Sequence, residues 1–212
     1  LFSGGWDFEV IDADVNTWNI DHSKIKGTGK DTAFLAVHNL GNIINVPALK
    51  KKFPDMIIVE DNCEGLFGTY DGKYSGTESL ISSLSFFGNK TITSGEGGAV
   101  LTADEGIFEY LNSIRGQGQS SQRYIHDKLG YNYRMTNIQA ALLYGQLMIL
   151  DEIREKKSAV FELYKSELSG VDEISFQKTE GGTEHAEWMF GLRFNKFDFV
   201  KKRMLELFLF EN

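Results

Sequence analysis

Short apolar runs bounded by turn residues alternate along this chain with segments in which apolar residues recur at helical spacing. This alternation is typical of the α/β class, in which helices wrap a mainly parallel sheet. Residues 56–59 (MIIV) are apolar without alternation, so that strand is predicted to be buried on both faces. The pattern predicts five strands, near residues 8–11, 33–37, 56–59, 84–87 and 99–101.

Capping residues mark the starts of helices. Asn45 and Pro47 predict a helix between the second and third strands, because proline is tolerated in the first turn, where backbone N–H groups have no partner. Thr102 and Glu105 have the spacing of a capping box and precede apolar residues at helical spacing. We therefore predict a second helix that begins at Thr102.

Thr136 and Gln139 repeat the capping-box spacing before a longer amphipathic run. This run predicts one continuous helix of about thirty residues that ends near Gly170. We interpret it as the end of a large domain, residues 1–168, followed by the beginning of a smaller, truncated C-terminal domain, residues 169–212. Because the chain does not start with methionine, both of its ends are expected to be cuts.

Composition and charge narrow the range of partners. The chain has 22 Lys and Arg against 30 Asp and Glu, a formal net charge of −8, which disfavours nucleic acid, since nucleic-acid binders concentrate basic residues on one face. Cys63 is the single cysteine and the four histidines are scattered, so no disulfide or metal site is predicted and a reducing, cytoplasmic location is expected. The apolar runs are too short to cross a bilayer, so no membrane partner is expected.

Polar residues follow two of the predicted strands. Asp61 lies just after one strand, and Lys90 lies just after another. The carboxyl ends of parallel strands meet at one edge, where ligands bind. A carboxylate and a lysine there suit pyridoxal 5′-phosphate, because the amine bonds to its aldehyde and the carboxylate keeps its pyridine nitrogen protonated. An Asp after a strand is more often a turn residue and a lone Lys is more often solvated, so these interpretations stay open at this point.

Two glycine-containing segments do not fit a nucleotide-binding module. Residues 88–91 (GNKT) lack the upstream glycine and the adjacent Gly-Lys pair of a phosphate-binding loop. Residues 116–118 (GQG) follow a predicted helix instead of a strand and lack the third glycine of a dinucleotide fingerprint. A nucleotide-binding module without a further cofactor is therefore disfavoured.

Several motifs together resemble the DegT/DnrJ/StrS family of sugar aminotransferases. They stand in the family's order and at its spacing over residues 7–168, which is far more specific than any single motif. The matching stretches are residues 17–21 (TWNID), 60–61 (ED), 85–90 (SFFGNK), 95–98 (GEGG), 115–118 (RGQG) and 130–141 (GYNYRMTNIQAA).

The resemblance implies an aspartate-aminotransferase-like fold (fold type I) with pyridoxal 5′-phosphate as the cofactor. It implies that Lys90 is the catalytic residue that bonds covalently to the cofactor, and that Asp61 pairs with the pyridine nitrogen. Glu64 stands where the family places a Gln or Glu near the phenolic oxygen. Ser85 is similar to a serine that contacts the cofactor phosphate.

The resemblance also implies a homodimer with shared active sites. Asn132 lies in a loop that reaches the partner's active site in the family, and Arg134 is the alternative for that contact. The implied reaction moves an amino group from an amino acid, expected to be glutamate, to the C4 ketone of a nucleotide-linked 4-keto-6-deoxy sugar of the perosamine type. His185, Trp188 and Met189 resemble a stretch near the sugar in one branch of the family, although core packing explains Trp188 and Met189 equally well.

Two alternatives share this fold. A sugar dehydratase that uses pyridoxal 5′-phosphate carries His at the lysine position, so Lys90 argues against it. A non-catalytic structural or regulatory relic is compatible with a truncated chain, but the intact Lys90, Asp61 and Ser85 argue against decay of the site. The resemblance therefore predicts an active parent protein.

Overall fold

The computed structural model describes residues 5–26, 29, 31–195, 203 and 209 of the chain. Its strands fall into a four-stranded, a three-stranded and a two-stranded sheet within these residues. The strands are β1 (Ala33–Val37), β2 (Ile57–Asp61), β3 (Thr69–Tyr70), β4 (Lys73–Tyr74), β5 (Ile81–Ser85), β6 (Gly98–Leu101), β7 (Ile174–Phe176), β8 (Thr183–Glu184) and β9 (Leu192–Phe194). The helices are α1 (Val46–Lys52), α2 (Glu105–Arg115), α3 (Asn137–Leu147) and α4 (Leu150–Leu168).

The four-stranded sheet is mainly parallel, as the sequence pattern predicted. Its order is β1-β2-β5-β6, with β1, β2 and β5 parallel and β6 antiparallel to β5. The carboxyl ends of β2 and β5 therefore lie at the same edge. Short β3 and β4 pair with each other and with β8 in the three-stranded sheet.

Local capping chemistry explains two of the helix starts. The Asn45 side chain accepts a hydrogen bond from Ala48 N and caps α1, as predicted. Thr136 and Gln139 form the predicted capping box of α3, in which each side chain bonds the other residue's backbone. The predicted capping box at Thr102 is wrong: α2 is capped by Asp104, whose side chain accepts from Ile107 N, while the Thr102 hydroxyl donates to Leu80 O.

The predicted single long helix is two helices in the structure. Ile149, with φ −120° and ψ 24°, separates α3 from α4. The end of α3 is fixed by the Gln146 side chain, which accepts from Thr93 N and donates to Thr93 O. In α4, Phe161 packs edge-on against Phe190, with ring centroids 5.3 Å apart. Because the two segments are anchored at different places, the helical phase breaks between them.

Two strand predictions differ from the structure. Residues 8–11 form no strand, and Phe8 and Val10 in that stretch are exposed. The strand predicted at residues 84–87 is β5, which begins three residues earlier, at Ile81. Its serines hid the apolar pattern by which a strand is predicted. Ser82 is fully buried although its hydroxyl is polar.

One face of the parallel sheet carries the core. The core cluster joins β1 and β2 to α1, β3 and residues before β9, and its members are Phe34, Ala36, Ile43, Ile44, Val46, Leu49, Met56, Ile58, Tyr70 and Ala186. The prediction that β2 is buried on both faces is wrong: Ile57 is 36% exposed, and Leu35 and Val37 of β1 are exposed on the same face. That face therefore carries apolar side chains that the other described residues leave exposed.

A hydrogen-bonded network of ionisable groups lies inside the core. His38 and Glu60 are both fully buried, and His38 Nε2 lies 2.8 Å from Glu60 Oε2. His38 Nδ1 accepts from Ile44 N, so Nε2 carries the ring proton and donates to the carboxylate. Tyr70 donates to Glu60 Oε1, and burial, followed by the Glu60 charge, raises the pKa of Tyr70 to about 12. Burial by itself would raise the pKa of Glu60, but hydrogen bonds led by that from His38 hold it below its ordinary value.

The lowered pKa of Glu60 predicts an acid-sensitive fold. The stabilisation from Glu60 is fully present above pH 4.5, its ordinary pKa, and is lost as the pH falls through the lower folded-state pKa. In the whole protein, Glu60→Gln should reduce the free energy of unfolding by about 2–3 kcal/mol at pH 7 and flatten its decrease below pH 4.5. Urea unfolding at a series of pH values measures both effects.

The exposed Glu152→Gln, which breaks a surface ion pair with Lys156, is the matched control and should change the free energy of unfolding little. If Glu60→Gln and Glu152→Gln gave the same pH dependence of unfolding, Glu60 would not be the stabilising acid.

Candidate active site

Polar side chains meet where β2 and β5 end. Asp61 is the last residue of β2 and pairs in register with Ser83 of β5, and Ser85 is the last residue of β5. Since alternate residues of a strand share a face, Ser83 and Ser85 lie on one face of β5. Asp61 shares that face, together with Val37 of β1. Val37 also lines a cavity of about 260 Å³ on the β1 side, with Leu35, Asn39 and residues of the segment before β1, and Asp61, Ser83 and Ser85 are not in its lining.

Asp61 begins a tight turn after β2. Its Oδ1 accepts from Cys63 N at 3.1 Å, and Ser83 Oγ lies 3.5 Å from the same oxygen. Cys63 Sγ is 3.4 Å from Ser83 Oγ. Burial, with the nearby Asp61 carboxylate as a smaller cause, raises the pKa of the Cys63 thiol. Cys63 therefore remains a protonated, half-buried thiol beside the site.

Lys90 lies five residues beyond β5, and its amine points back toward the same edge. Its Nζ is 4.0 Å from Glu64 Oε1 and 4.0 Å from the centroid of the Trp188 ring. Glu64 follows Asp61 by three residues, so Lys90 lies against the turn that begins at the carboxyl end of β2. The Lys90 side chain is only 11% exposed.

Glu64 connects Lys90 to the segment after β1. Its Oε2 accepts a hydrogen bond from Leu40 N at 2.7 Å, while Oε1 faces the lysine. Leu40 has φ 58°, a left-handed conformation that is uncommon for a residue with a side chain. The carboxylate is thus oriented by a backbone N–H that only this unusual turn presents.

The other two predicted site residues have different surroundings. Ser85 is partly buried, and its Oγ accepts from Phe87 N at 3.3 Å. Asn132 lies in an exposed loop and forms a short β-bridge with Gly116. Within the described part of the chain, no recorded contact joins Asn132 or the exposed Arg134 to Asp61 or Lys90. The structure therefore brings four of the predicted site residues to the sheet edge, and not the fifth.

The sequence analysis did not name Ser83, and it placed Trp188 near the sugar or in the core without expecting its contact with Lys90. Ser83 could have been found, because it lies two residues before Ser85 and so shares its face. Trp188 packs on Lys90 and donates from Nε1 to Asn89 O at 2.9 Å, across 99 positions of sequence. No local pattern signals a contact over that distance.

Neither a metal site nor a membrane-spanning helix is found among the described residues. These residues contain no group of three or more His, Cys, Asp or Glu arranged to hold a metal ion. Of the helices that the structure describes, none has both the length and the apolar character needed to cross a bilayer.

The fold and the site define a class. The E. coli GDP-4-keto-6-deoxy-D-mannose-3-dehydratase, solved with bound hydrated PLP, matches 92% of this chain and 56% of its own, with a TM-score of 0.78 and 27% identity. The chain thus has the aspartate-aminotransferase-like fold (fold type I) of transferases that use pyridoxal phosphate, as predicted.

Sequence comparison then gives the family. The model of the DegT/DnrJ/EryC1/StrS aminotransferase family matches residues 5–211, and the chain belongs to this family. The GDP-perosamine synthases of Escherichia coli O157:H7 and Vibrio cholerae are 38% and 36% identical to it, over 84% and 86% of this chain. These matches cover 50% of each synthase, so the chain spans about half the length of the curated relatives.

The turn that carries Asp61 and Glu64 depends on Gly65. A Cβ at this position would overlap Asn62 Oδ1 and lie 2.9 Å from two atoms of His38. We expect Gly65→Ala to reduce the free energy of unfolding by about 1–3 kcal/mol through overpacking. It should also speed the reaction of the Cys63 thiol with a disulfide reagent, because the turn shifts. Urea unfolding and thiol titration of the whole protein measure these effects.

Gly170→Ala is the matched control. Gly170 lies just after α4 with open space around its Cβ position, so alanine should change the free energy of unfolding little. Equal effects of the two substitutions on Cys63 reactivity would contradict the role given to Gly65.

Proposed function

We propose that this chain holds the cofactor site of an aminotransferase that uses pyridoxal 5′-phosphate and acts on a nucleotide-linked 4-keto-6-deoxy sugar. The observation that carries the proposal is that Lys90 Nζ lies 4.0 Å from Glu64 Oε1, in the turn that Asp61 begins at the carboxyl end of β2. Membership of an aminotransferase family supports the reaction class. The proposal concerns the whole protein, since the match covers only 50% of each of these relatives.

The residues at the edge fit this cofactor. Asp61 receives its recorded hydrogen bonds at Oδ1, so among the described residues Oδ2 is available to the pyridine nitrogen. In the same part of the chain, no recorded hydrogen bond holds Lys90 Nζ, and Glu64 Oε1 is 4.0 Å away. The largely buried amine is thus available to the cofactor's aldehyde. Ser85 and Glu64 would hold the phosphate and the phenolic oxygen.

The chemistry divides between the cofactor and the side chains. Pyridoxal 5′-phosphate, when bound, supplies the electron sink for bond changes at the amino carbon. Asp61 would hold a proton on the pyridine nitrogen, which would keep the ring electron-poor. Lys90 would hold the cofactor through Nζ, and as a free amine Nζ would move a proton between the reacting carbons.

The substrate is the finer part of the proposal. Similarity to two GDP-perosamine synthases supports a GDP-linked 4-keto-6-deoxy-D-mannose as the acceptor, with glutamate as the expected donor. A dehydratase is the second candidate, since the solved E. coli dehydratase shares the fold. Lys90 favours amino transfer, because one amine can both hold the cofactor and move the proton.

Substitutions at Lys90 and Asp61 test the reaction. In the whole protein, Lys90→Ala should abolish both amino transfer from glutamate to the GDP-linked keto sugar and the cofactor absorbance that survives desalting. Asp61→Asn should keep that absorbance but slow transfer roughly 30- to 5,000-fold, because a lost buried charge-assisted contact costs about 2–5 kcal/mol. Absorbance spectra and mass spectrometry of the sugar product measure these effects.

The matched controls are Lys156→Ala and Asp55→Asn, which change exposed residues of the same types and should leave transfer intact. Amino transfer by the Lys90→Ala variant at the wild-type rate would refute the proposal. A deoxygenated sugar without a new amino group would favour the dehydratase instead.

We further propose a homodimer that covers the surface of α3 and the loop before it. Tyr131 and Tyr133 stack with ring centroids 4.8 Å apart on this surface, and Tyr133 is 72% exposed. Ile138 and Leu142 of α3 are exposed as well. Contiguous exposed apolar groups of this kind mark interfaces, and a second copy suits the partner implied for the Asn132 loop.

The dimer proposal predicts that Leu142→Glu weakens self-association of the whole protein by at least about tenfold, because it places a charge in an apolar interface. Leu163→Glu on α4 changes an equally exposed leucine and is the control. Sedimentation over a range of concentrations measures the dissociation constant. A monomeric wild-type protein, or equal effects of both variants, would refute the proposed interface.

A further inference from the structure

The Lys90 amine lies against the face of an indole ring. Its Nζ is 4.0 Å from the Trp188 ring centroid, within the range of a cation–π contact. Among the described residues, the contacts of this amine are Glu64 Oε1 at 4.0 Å and the Trp188 ring. Trp188 is therefore the aromatic member of a small cage around the amine.

Trp188 is fixed at both its ring and its backbone. The ring donates from Nε1 to the carbonyl of Asn89, the residue directly before Lys90. The carbonyl of Trp188 accepts from Lys157 Nζ at 3.1 Å, and Met189 N donates to Leu40 O at 3.3 Å. The indole is thus tied to the loop that carries the lysine and to the turn that orients Glu64.

The backbone around Trp188 is unusual. Glu187, directly before it, has φ 53°, and Leu40 on the facing turn has φ 58°. A Cβ at Gly41 would lie 3.2 Å from Trp188 N, so the two segments approach closely. Left-handed conformations at residues with side chains persist only where the surroundings impose them, and they concentrate at functional sites.

Core packing does not explain this tryptophan. The aromatic cluster nearby consists of Phe161, Tyr164, Phe176 and Phe190, with ring centroids 5.1–5.6 Å apart. The Trp188 ring faces the lysine amine instead. Its Nε1 donates a hydrogen bond to Asn89 O in the loop that carries Lys90, instead of to the aromatic cluster.

We infer that Trp188 is a positioning residue for Lys90: its indole face and the Glu64 carboxylate hold the amine at the carboxyl edge of the sheet. The inference rests on the proposed function for the role of Lys90, whereas the contact itself can be measured without cofactor. It assigns the contacts with Trp188 and Glu64 to the state before the cofactor binds, in which the Lys90 amine is free.

Acylation of Lys90 in the whole, cofactor-free protein tests this contact. With a small neutral acylating reagent at one pH, peptide mass spectrometry gives the Lys90 rate relative to exposed Lys156. Trp188→Leu should raise this rate about three- to thirtyfold, the range of a cation–π contact. Trp188→Phe retains a ring face and should stay within about threefold of wild type. Met189→Leu, which keeps the backbone bond to Leu40, should have no effect.

The outcomes separate positioning from shielding. Equal increases in Trp188→Phe and Trp188→Leu would mean that Trp188 only covers the amine, and would overturn the inference. The wild-type protein supplies a test that needs no stable variant at Trp188: ring currents should shift the Lys90 ε-methylene protons upfield, with Lys90→Ala used for assignment. Absence of that shift would also overturn it.

Activity assays keep the inference distinct from the proposed function. If amino transfer occurs, Trp188→Leu should lower kcat with little change in KM for the sugar, and Trp188→Phe should restore most of it. If no variant and no wild-type protein transfers an amino group while acylation responds as expected, the proposed function fails and the contact stands. If transfer occurs but acylation does not respond, the inference fails alone.

Discussion

The candidate site depends on the buried hydrogen bond between His38 and Glu60, which holds the carboxyl end of β2 in place. It joins His38, which follows β1, to Glu60, the penultimate residue of β2, and both side chains are fully buried. Because strand side chains alternate, Glu60 faces the core while Asp61 faces the opposite side. Two adjacent carboxylates thus have separate tasks: one secures the strand end, and the other is presented at the sheet edge.

Residues far along the chain complete the site from the other side. His185, which precedes Trp188, accepts from Glu187 N at Nδ1 and pairs through Nε2 with Gln177. Burial lowers the pKa of His185 to about 4, so it is neutral near pH 7. The turn that presents Trp188 is therefore held by a neutral ring. The domain boundary at residue 168 stays a prediction, although β8 pairs directly with β3.

Sequence reasoning succeeded where the physics is local. The strand at residues 33–37 and the caps at Asn45 and Thr136 follow from neighbouring side chains and backbone groups. The position of Lys90 beside Glu64, in the turn that Asp61 begins, agrees with the topology of parallel strands, whereas the roles of Asp61 and Lys90 stay predictions. It failed where distant contacts decide: the bond between Gln146 and Thr93 accompanies the break of the long helix, and alternation alone could not show which sheet face would be covered.

The Lys90 amine is held by weak contacts, which can be broken without the loss of a hydrogen bond. Glu64 Oε1 lies 4.0 Å from Lys90 Nζ, beyond hydrogen-bond distance, while Glu64 Oε2 accepts a hydrogen bond from Leu40 N. On the other side stands the neutral face of Trp188. A direct hydrogen-bonded ion pair would have to be broken before the amine could react. An indole face and a more distant carboxylate orient the same amine without that cost, which suits the role proposed for Lys90.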